Sequence, residues 1–125
     1  FISVGTNDLS QYLFAADRMN ASLGALLNPW QPALIRALQK IAVDSSAGNI
    51  SSGVCGESAS DPAFAVVLAG LGFKSVSASM SQVGAVRTAL SAVSLEQAKA
   101  VAAEALTATT AEEAKSRVLA ALANL

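Results

Sequence analysis

An α/β fold built on a parallel sheet is predicted by the order of the elements, and three observations carry the prediction. Short runs at Phe1 to Val4, Asn49 to Val54 and Ser75 to Ser79 read as strands, the first stopped by Gly5 and the second interrupted by Gly53 and stopped by Gly56. Helical patterns with clear start signals lie between and after them. Beyond Val93 two alanine-rich helical segments follow with no strand signal between them. Strand and helix in alternation imply crossover connections, and in barrels of this type the active groups sit at the C-terminal ends of the strands.

Each element has its own justification. Phe1 to Val4 is a short, mainly apolar run, which suits a strand buried on two faces. Pro29 and Pro32 introduce a helix in which Leu34, Ala37, Leu38 and Ile41 recur at helical spacing. Asp61 followed by Pro62 is an N-cap with a first-turn proline, leading into Phe64, Val67, Leu68 and Leu71 before Gly72 ends the helix. In Ser75 to Ser79, Val76 and Ala78 alternate with serines. Gln82 to about Leu90 forms a further helix with Val83, Val86 and Leu90 on one side. Capping boxes open the last two helices, Ser94 with Gln97 and Thr110 with Glu113. The final helix carries Ala114, Val118, Leu119 and Leu122 as an apolar stripe.

Composition narrows the function. At 125 residues and 53% hydrophobic content, one domain with an ample core is expected. A net charge of −1 and a charged fraction of 14% leave no basic stripe for nucleic acid or an anionic bilayer. No apolar run approaches the roughly 20 residues that span a bilayer, and the opening residues lack the basic start of a signal peptide, so a cytoplasmic protein is expected. Cys55, the single cysteine, cannot form an internal disulfide, and its thiol is free for chemistry. Histidine is absent, which removes the commonest acid-base group and metal ligand. Because FISVG reads as a strand already in progress at Phe1, the chain is expected to be a fragment.

The chemistry concentrates in GTNDLSQY, Gly5 to Tyr12, closing on Arg18, and in GVCGE, Gly53 to Glu57. Asp8 follows the first strand, where a carboxylate can ligate a hard cation such as Mg²⁺; alternatively Asn7 and Asp8 form only a turn. Arg18 presents the donor fork that matches a phosphate, or pairs at the surface with a carboxylate such as Asp17. Cys55 lies between two glycines, which let backbone approach a ligand, and a free thiol can deliver a proton to a carbanion. The competing reading is a small buried hydrophobe. Thr6, Ser10, Gln11 and Tyr12 read as turn and packing residues, and Trp30 as a core or interface anchor.

These segments, with ADRMN, NPWQPALIRAL and GVCGESASDPAFAVVLAGLG, resemble the phosphoenolpyruvate-utilising enzymes, and within them the C-terminal end of enzyme I of the bacterial sugar phosphotransferase system. Pyruvate phosphate dikinase and phosphoenolpyruvate synthase share the GTNDL and CGE elements and are the alternative within the family. The resemblance implies the last three strand-helix units of a (β/α)₈ TIM barrel plus two C-terminal helices, a partial barrel spanning residues 1–125. It implies that Asp8 ligates Mg²⁺, that Asn7, Asp8 and Arg18 bind phosphoenolpyruvate, and that Cys55 protonates the enolate to pyruvate. The phosphate-accepting histidine, a further metal-binding glutamate and further arginines belong to parts of the family absent here. Inactivity of this chain alone is therefore expected, with contact to the histidine phosphocarrier protein made through an N-terminal domain. Exposed strand edges predict a homo-oligomer. A structural or dimerisation module with idle site residues is the reading of another class.

Overall fold

The computed structural model describes residues 1–125. Its three strands, β1 (Ile2–Gly5), β2 (Ser52–Cys55) and β3 (Ser75–Ser77), form one parallel sheet in the order β1-β2-β3. The register pairs Val4 with Val54 and Val54 with Val76, and one residue on it pairs Gly5 with Cys55 and Cys55 with Ser77. Because side chains alternate across a strand, one sheet face carries the valines and the other carries Ser3, Cys55, Ser75 and Ser77. Val4, Val54 and Val76 meet the hydrophobic core, whereas Ser3, Ser75 and Ser77 are exposed. The sheet is thus covered on one face and open and polar on the other.

Six helices supply the cover: α1 (Thr6–Phe14), α2 (Pro32–Ala47), α3 (Pro62–Leu71), α4 (Val83–Ser91), α5 (Leu95–Thr107) and α6 (Ala111–Ala123). α3 is apolar nearly all round, and its run Phe64 to Leu68 is fully buried, as a helix without a polar face must be. α2 flanks it through Leu34, Ile35 and Leu38, and α5 lies across its outer side through Ala98, Val101, Ala102 and Ala105. Gly70 permits this approach: a Cβ there would overlap the Ala98 carbonyl group, with the carbonyl carbon at 2.5 Å and Ala102 Cβ at 2.9 Å. Alanine and glycine on the facing surfaces let α5 cover α3, and α6 then packs on α5. Trp30 is buried and meets the Phe64 ring edge-on, with centroids 4.9 Å apart at 85°.

Several helix starts behave as the sequence predicts. Asp61 accepts from the amides of Ala63 (2.9 Å) and Phe64 (3.4 Å), with Pro62 in the first turn. Ser94 and Gln97 form both halves of a capping box. The expected box at Thr110 and Glu113 is only half made. The Thr110 hydroxyl accepts from Glu113 N, but the Glu113 carboxylate reaches past it to Thr109 N and Oγ1, each at 2.8 Å, and to Arg117. Those bonds hold its carboxyl at a pKa of about 2, the Thr109 amide being the largest cause, then the Thr109 hydroxyl and Arg117.

Two further expectations are corrected. The first strand is not buried on two faces in this chain: Phe1 and Ile2 are exposed and only Val4 is buried, because β1 is an edge strand whose second face has no cover. Thr6, Ser10, Gln11 and Tyr12, read as turn and packing residues, lie on a helix, Thr6–Phe14, so Asn7 and Asp8 stand in its first turn rather than in a loop turn. Its fully buried positions are Thr6 and Ser10, four residues apart. Hydroxyls on the inner stripe hide the apolar period that would otherwise mark a helix.

Candidate functional site

The C-terminal ends of β1 and β2 lie side by side, and the site residues stand on the segments that leave those ends. Gly5 ends β1 with an extended backbone and no side-chain cap, so the first amides of α1 receive no local side-chain acceptor. A carboxylate in that turn suits the helix dipole, and Asp8 supplies it. Asp8 bends back over the strand end: a Cβ built on Gly5, pointing to the open face, would lie 3.6 Å from Asp8 Oδ2. Cys55 is the register partner of Gly5 and shares that face, where Ser3 Oγ approaches its Sγ at 3.8 Å.

α1 ends at Ala15, whose φ of 50° puts it in the left-handed region and turns the chain toward Arg18. Gln11 ties this return. Its Oε1 accepts from Arg18 N at 2.9 Å, and its Nε2 stands 3.5 Å from Asp8 Oδ1. Asp17 does not pair with Arg18. Its carboxylate accepts instead from Met19 N at 2.9 Å, and no carboxylate lies within ion-pair distance of the Arg18 guanidinium. Asn20 then caps a 3₁₀ turn, Ala21–Leu27, by accepting from Ser22 N and Oγ.

A polar cleft of about 500 Å³ opens between α1, this return and the exit of β2, lined by Asn7, Ser10, Arg18, Met19, Gly24, Leu27 and Glu57. Two of the predicted residues, Asn7 and Arg18, meet there. Asp8 does not line it; its carboxylate faces a neighbouring hollow with Gln11, Tyr12 and Asp17. Cys55 does not line it either and is partly buried on the open sheet face two residues before Glu57. No three Asp, Glu or Cys side chains cluster as a complete metal site. A lone carboxylate at a strand end nevertheless fits Mg²⁺, an ion usually held by one or two carboxylates plus substrate phosphate and water.

The exit of β2 is spliced to both neighbours. Ser58 Oγ donates to Thr6 Oγ1 at 2.6 Å, and Thr6 Oγ1 donates to the Cys55 carbonyl at 3.2 Å, both hydroxyl residues being buried. On the other side Ser60 Oγ accepts from Ser79 N at 2.8 Å, just beyond β3. The glycines flanking Cys55 also have structural reasons of their own. A Cβ on Gly53 would collide with Ser75 Oγ, and Gly56 has φ +108° with Thr6 Oγ1 only 2.8 Å from where its Cβ would stand.

Comparison with known proteins bears on these residues. The family model described as PEP-utilising enzyme, PEP-binding domain, matches residues 1–95. The chain belongs to this family. A phosphoenolpyruvate-protein phosphotransferase from Streptomyces coelicolor is 45% identical over 122 residues, 98% of this chain and 22% of that protein. A Salmonella typhimurium protein named for the phosphoenolpyruvate-dependent phosphotransferase system is 38% identical over 120 residues, 96% of this chain and 16% of its own length. The Bacillus subtilis phosphoenolpyruvate-protein phosphotransferase is 36% identical over 113 residues, 90% and 20% respectively. The chain therefore spans about a fifth of the length of such relatives. The resemblance read from GTNDL, ADRMN and GVCGE is the one these comparisons return.

Sequence reasoning placed Glu57 in the GVCGE segment without giving it a role, and missed Ser10, Met19, Gly24 and Leu27 as cleft residues. Glu57 carries the only signal that was available, its place two residues beyond Cys55. Ser10, four residues from Thr6, needs α1 to be recognised as a helix first. Met19 and Leu27 come from an irregular return that no period announces.

Proposed function

We propose that this chain is the phosphoenolpyruvate-binding part of a phosphoenolpyruvate-protein phosphotransferase, contributing one side of the substrate site. The observation that carries the reading is the pairing of Asn7 with an Arg18 that has no carboxylate partner in one polar cleft, beside an uncapped helix N-terminus. Arg18 offers a bidentate fork to the phosphoryl oxygens, Asn7 a side-chain amide, and the free amides of α1 complement negative charge. Glu57 also lines the cleft, without pairing with Arg18. Asp8 would hold Mg²⁺, which when bound would neutralise phosphate charge during transfer.

In the proposed reaction the phosphorus–oxygen bond of phosphoenolpyruvate breaks as the phosphoryl group passes to a histidine, and the electron pair remains on the enolate. Cys55 then gives its thiol proton to the methylene carbon, forming pyruvate and leaving a thiolate that recovers a proton from solvent. The acceptor histidine has to come from outside this sequence, which contains none. The proposed setting is a (β/α)₈ barrel whose remaining strands cover the open polar face, within a cytoplasmic enzyme that hands its phosphoryl group to the histidine phosphocarrier protein. Self-association is part of the same proposal, since Phe1, Tyr12, Met19 and Met80 are each at least 80% exposed.

Calorimetric titration of this chain with phosphoenolpyruvate and Mg²⁺ tests the reading. Saturable binding is expected, weakened at least about ten-fold by Arg18→Ala, since a hydrogen bond to a charged group is worth about 1.5–3 kcal/mol. Asp8→Asn should abolish the Mg²⁺ dependence. Absence of saturable binding to the unaltered chain would refute it.

A further inference from the structure

Three elements meet behind Cys55 through hydroxyls that no catalytic role uses. Thr6 stands at the first position of α1 and Ser58 opens the 3₁₀ turn after β2; each is 2% exposed. A hydroxyl has one proton to give, and here the order of giving is determined. Ser58 Oγ donates to Thr6 Oγ1, which spends its own proton on the Cys55 carbonyl. The relay ends on the residue whose side chain lies beside Ser3 on the open face. Gly56, next in sequence, is at φ +108° with the Thr6 hydroxyl filling the space where its Cβ would be. The turn after Cys55 is therefore molded around Thr6.

We infer that Thr6 and Ser58 are positioning residues: their buried relay holds the Cys55–Gly56 turn against the start of α1, and so sets where the Cys55 thiol stands relative to Asn7 and Asp8. Functionally this rests on the proposed role of Cys55 as proton donor, but the geometry it claims is separate from that role. Thr6 also connects the two halves of the candidate site. It precedes Asn7 and Asp8 directly in α1 and grips the residue that carries the thiol. A packing residue alone would require the volume of Thr6 and be indifferent to its oxygen. The relay requires the oxygen, because an apolar side chain of the same shape strands the buried Ser58 proton and takes the Thr6 donor from the partly buried Cys55 carbonyl.

The test is the rate at which iodoacetamide alkylates Cys55 in the full 125-residue chain under native conditions. Thr6→Val keeps the volume and removes the oxygen; the rate should rise about five-fold, the Boltzmann factor of one ordinary hydrogen bond. Ser58→Ala should give a similar rise, and the two together little more, because they break one relay. Thr6→Ser, which retains the hydroxyl, should stay near the unaltered rate. Val118→Ala on α6 destabilises the chain away from the turn and should leave the rate unchanged, separating position from general loosening. Alkylation of Thr6→Val, or of Ser58→Ala should Thr6→Val not fold, at the unaltered rate would overturn the inference. Failure of phosphoenolpyruvate to bind the unaltered chain would instead overturn the functional reading and leave the labelling result standing.

Discussion

Replacing Gly70 by alanine separates helix propensity from packing, because the two predict opposite signs. Gly70 is the penultimate residue of α3, where alanine is the better helix former by at most about 1 kcal/mol, so an isolated helix would gain. In the folded chain the new Cβ would overlap the Ala98 carbonyl group and stand 2.9 Å from Ala102 Cβ. Neither neighbour is the free end of a flexible side chain: one is backbone and the other is fixed to it. Relief requires α5 to move away from α3, loosening Val101 and Ala105 and with them the seat of α6. Overpacking of this kind costs about 1–3 kcal/mol, and backbone contact puts it at the upper end, about 3. Subtracting the gain in propensity leaves a net loss of about 2 kcal/mol, or about 8 °C in Tm for a domain of this size. Urea and thermal unfolding followed by circular dichroism measure it. A Gly70→Ala variant at least as stable as the unaltered chain would refute the account of how α5 covers α3.

The half-made box at α6 predicts an acid response. Glu113 has its carboxyl pKa lowered to about 2, first by the Thr109 amide, so its contribution to stability is complete above its ordinary value of 4.5 and is lost as pH falls from there toward 2. Carbon-detected NMR titration of the Glu113 carboxyl should show the depressed midpoint, and Glu113→Gln should flatten stability across that window; a midpoint near 4.5 would contradict the bonds to Thr109 and Arg117. Asp61→Ala should cost about 1 kcal/mol, the usual worth of an N-cap, and Asp61→Ser should recover most of it. Denaturant melts that place Asp61→Ala level with the unaltered chain would remove the cap from the reasons α3 starts where it does.

Much of the fold was legible because its signals are local. Asp61 with Pro62 marks the start of α3, Gly72 its end, and Ser94 with Gln97 the start of α5, each through hydrogen bonds or φ angles that involve only near neighbours. α1 was not legible, because its buried stripe is made of Thr6 and Ser10, and the Thr6 hydroxyl finds its partners only after β1 and β2 have paired. Asn7 and Arg18 could be named from residue chemistry, but their shared cleft depends on the left-handed turn at Ala15 and the Gln11 tie to Arg18. Glu57 enters that cleft from the second strand unit, a separation of 50 residues from Asn7 that spacing does not bridge.

The alternation of strands and helices, the family and the residue types at the candidate site could all be read along the chain, since they reside in short patterns and chemical identity. Which of those residues meet was settled only by folding. Asn7 and Arg18 join Glu57 in the cleft, whereas Asp8 lines the neighbouring hollow and Cys55 stands on the open sheet face. The physical reason is register. Pairing Gly5 with Cys55 brings the end of one strand beside the end of the next, and buried hydroxyls hold the turns beyond them.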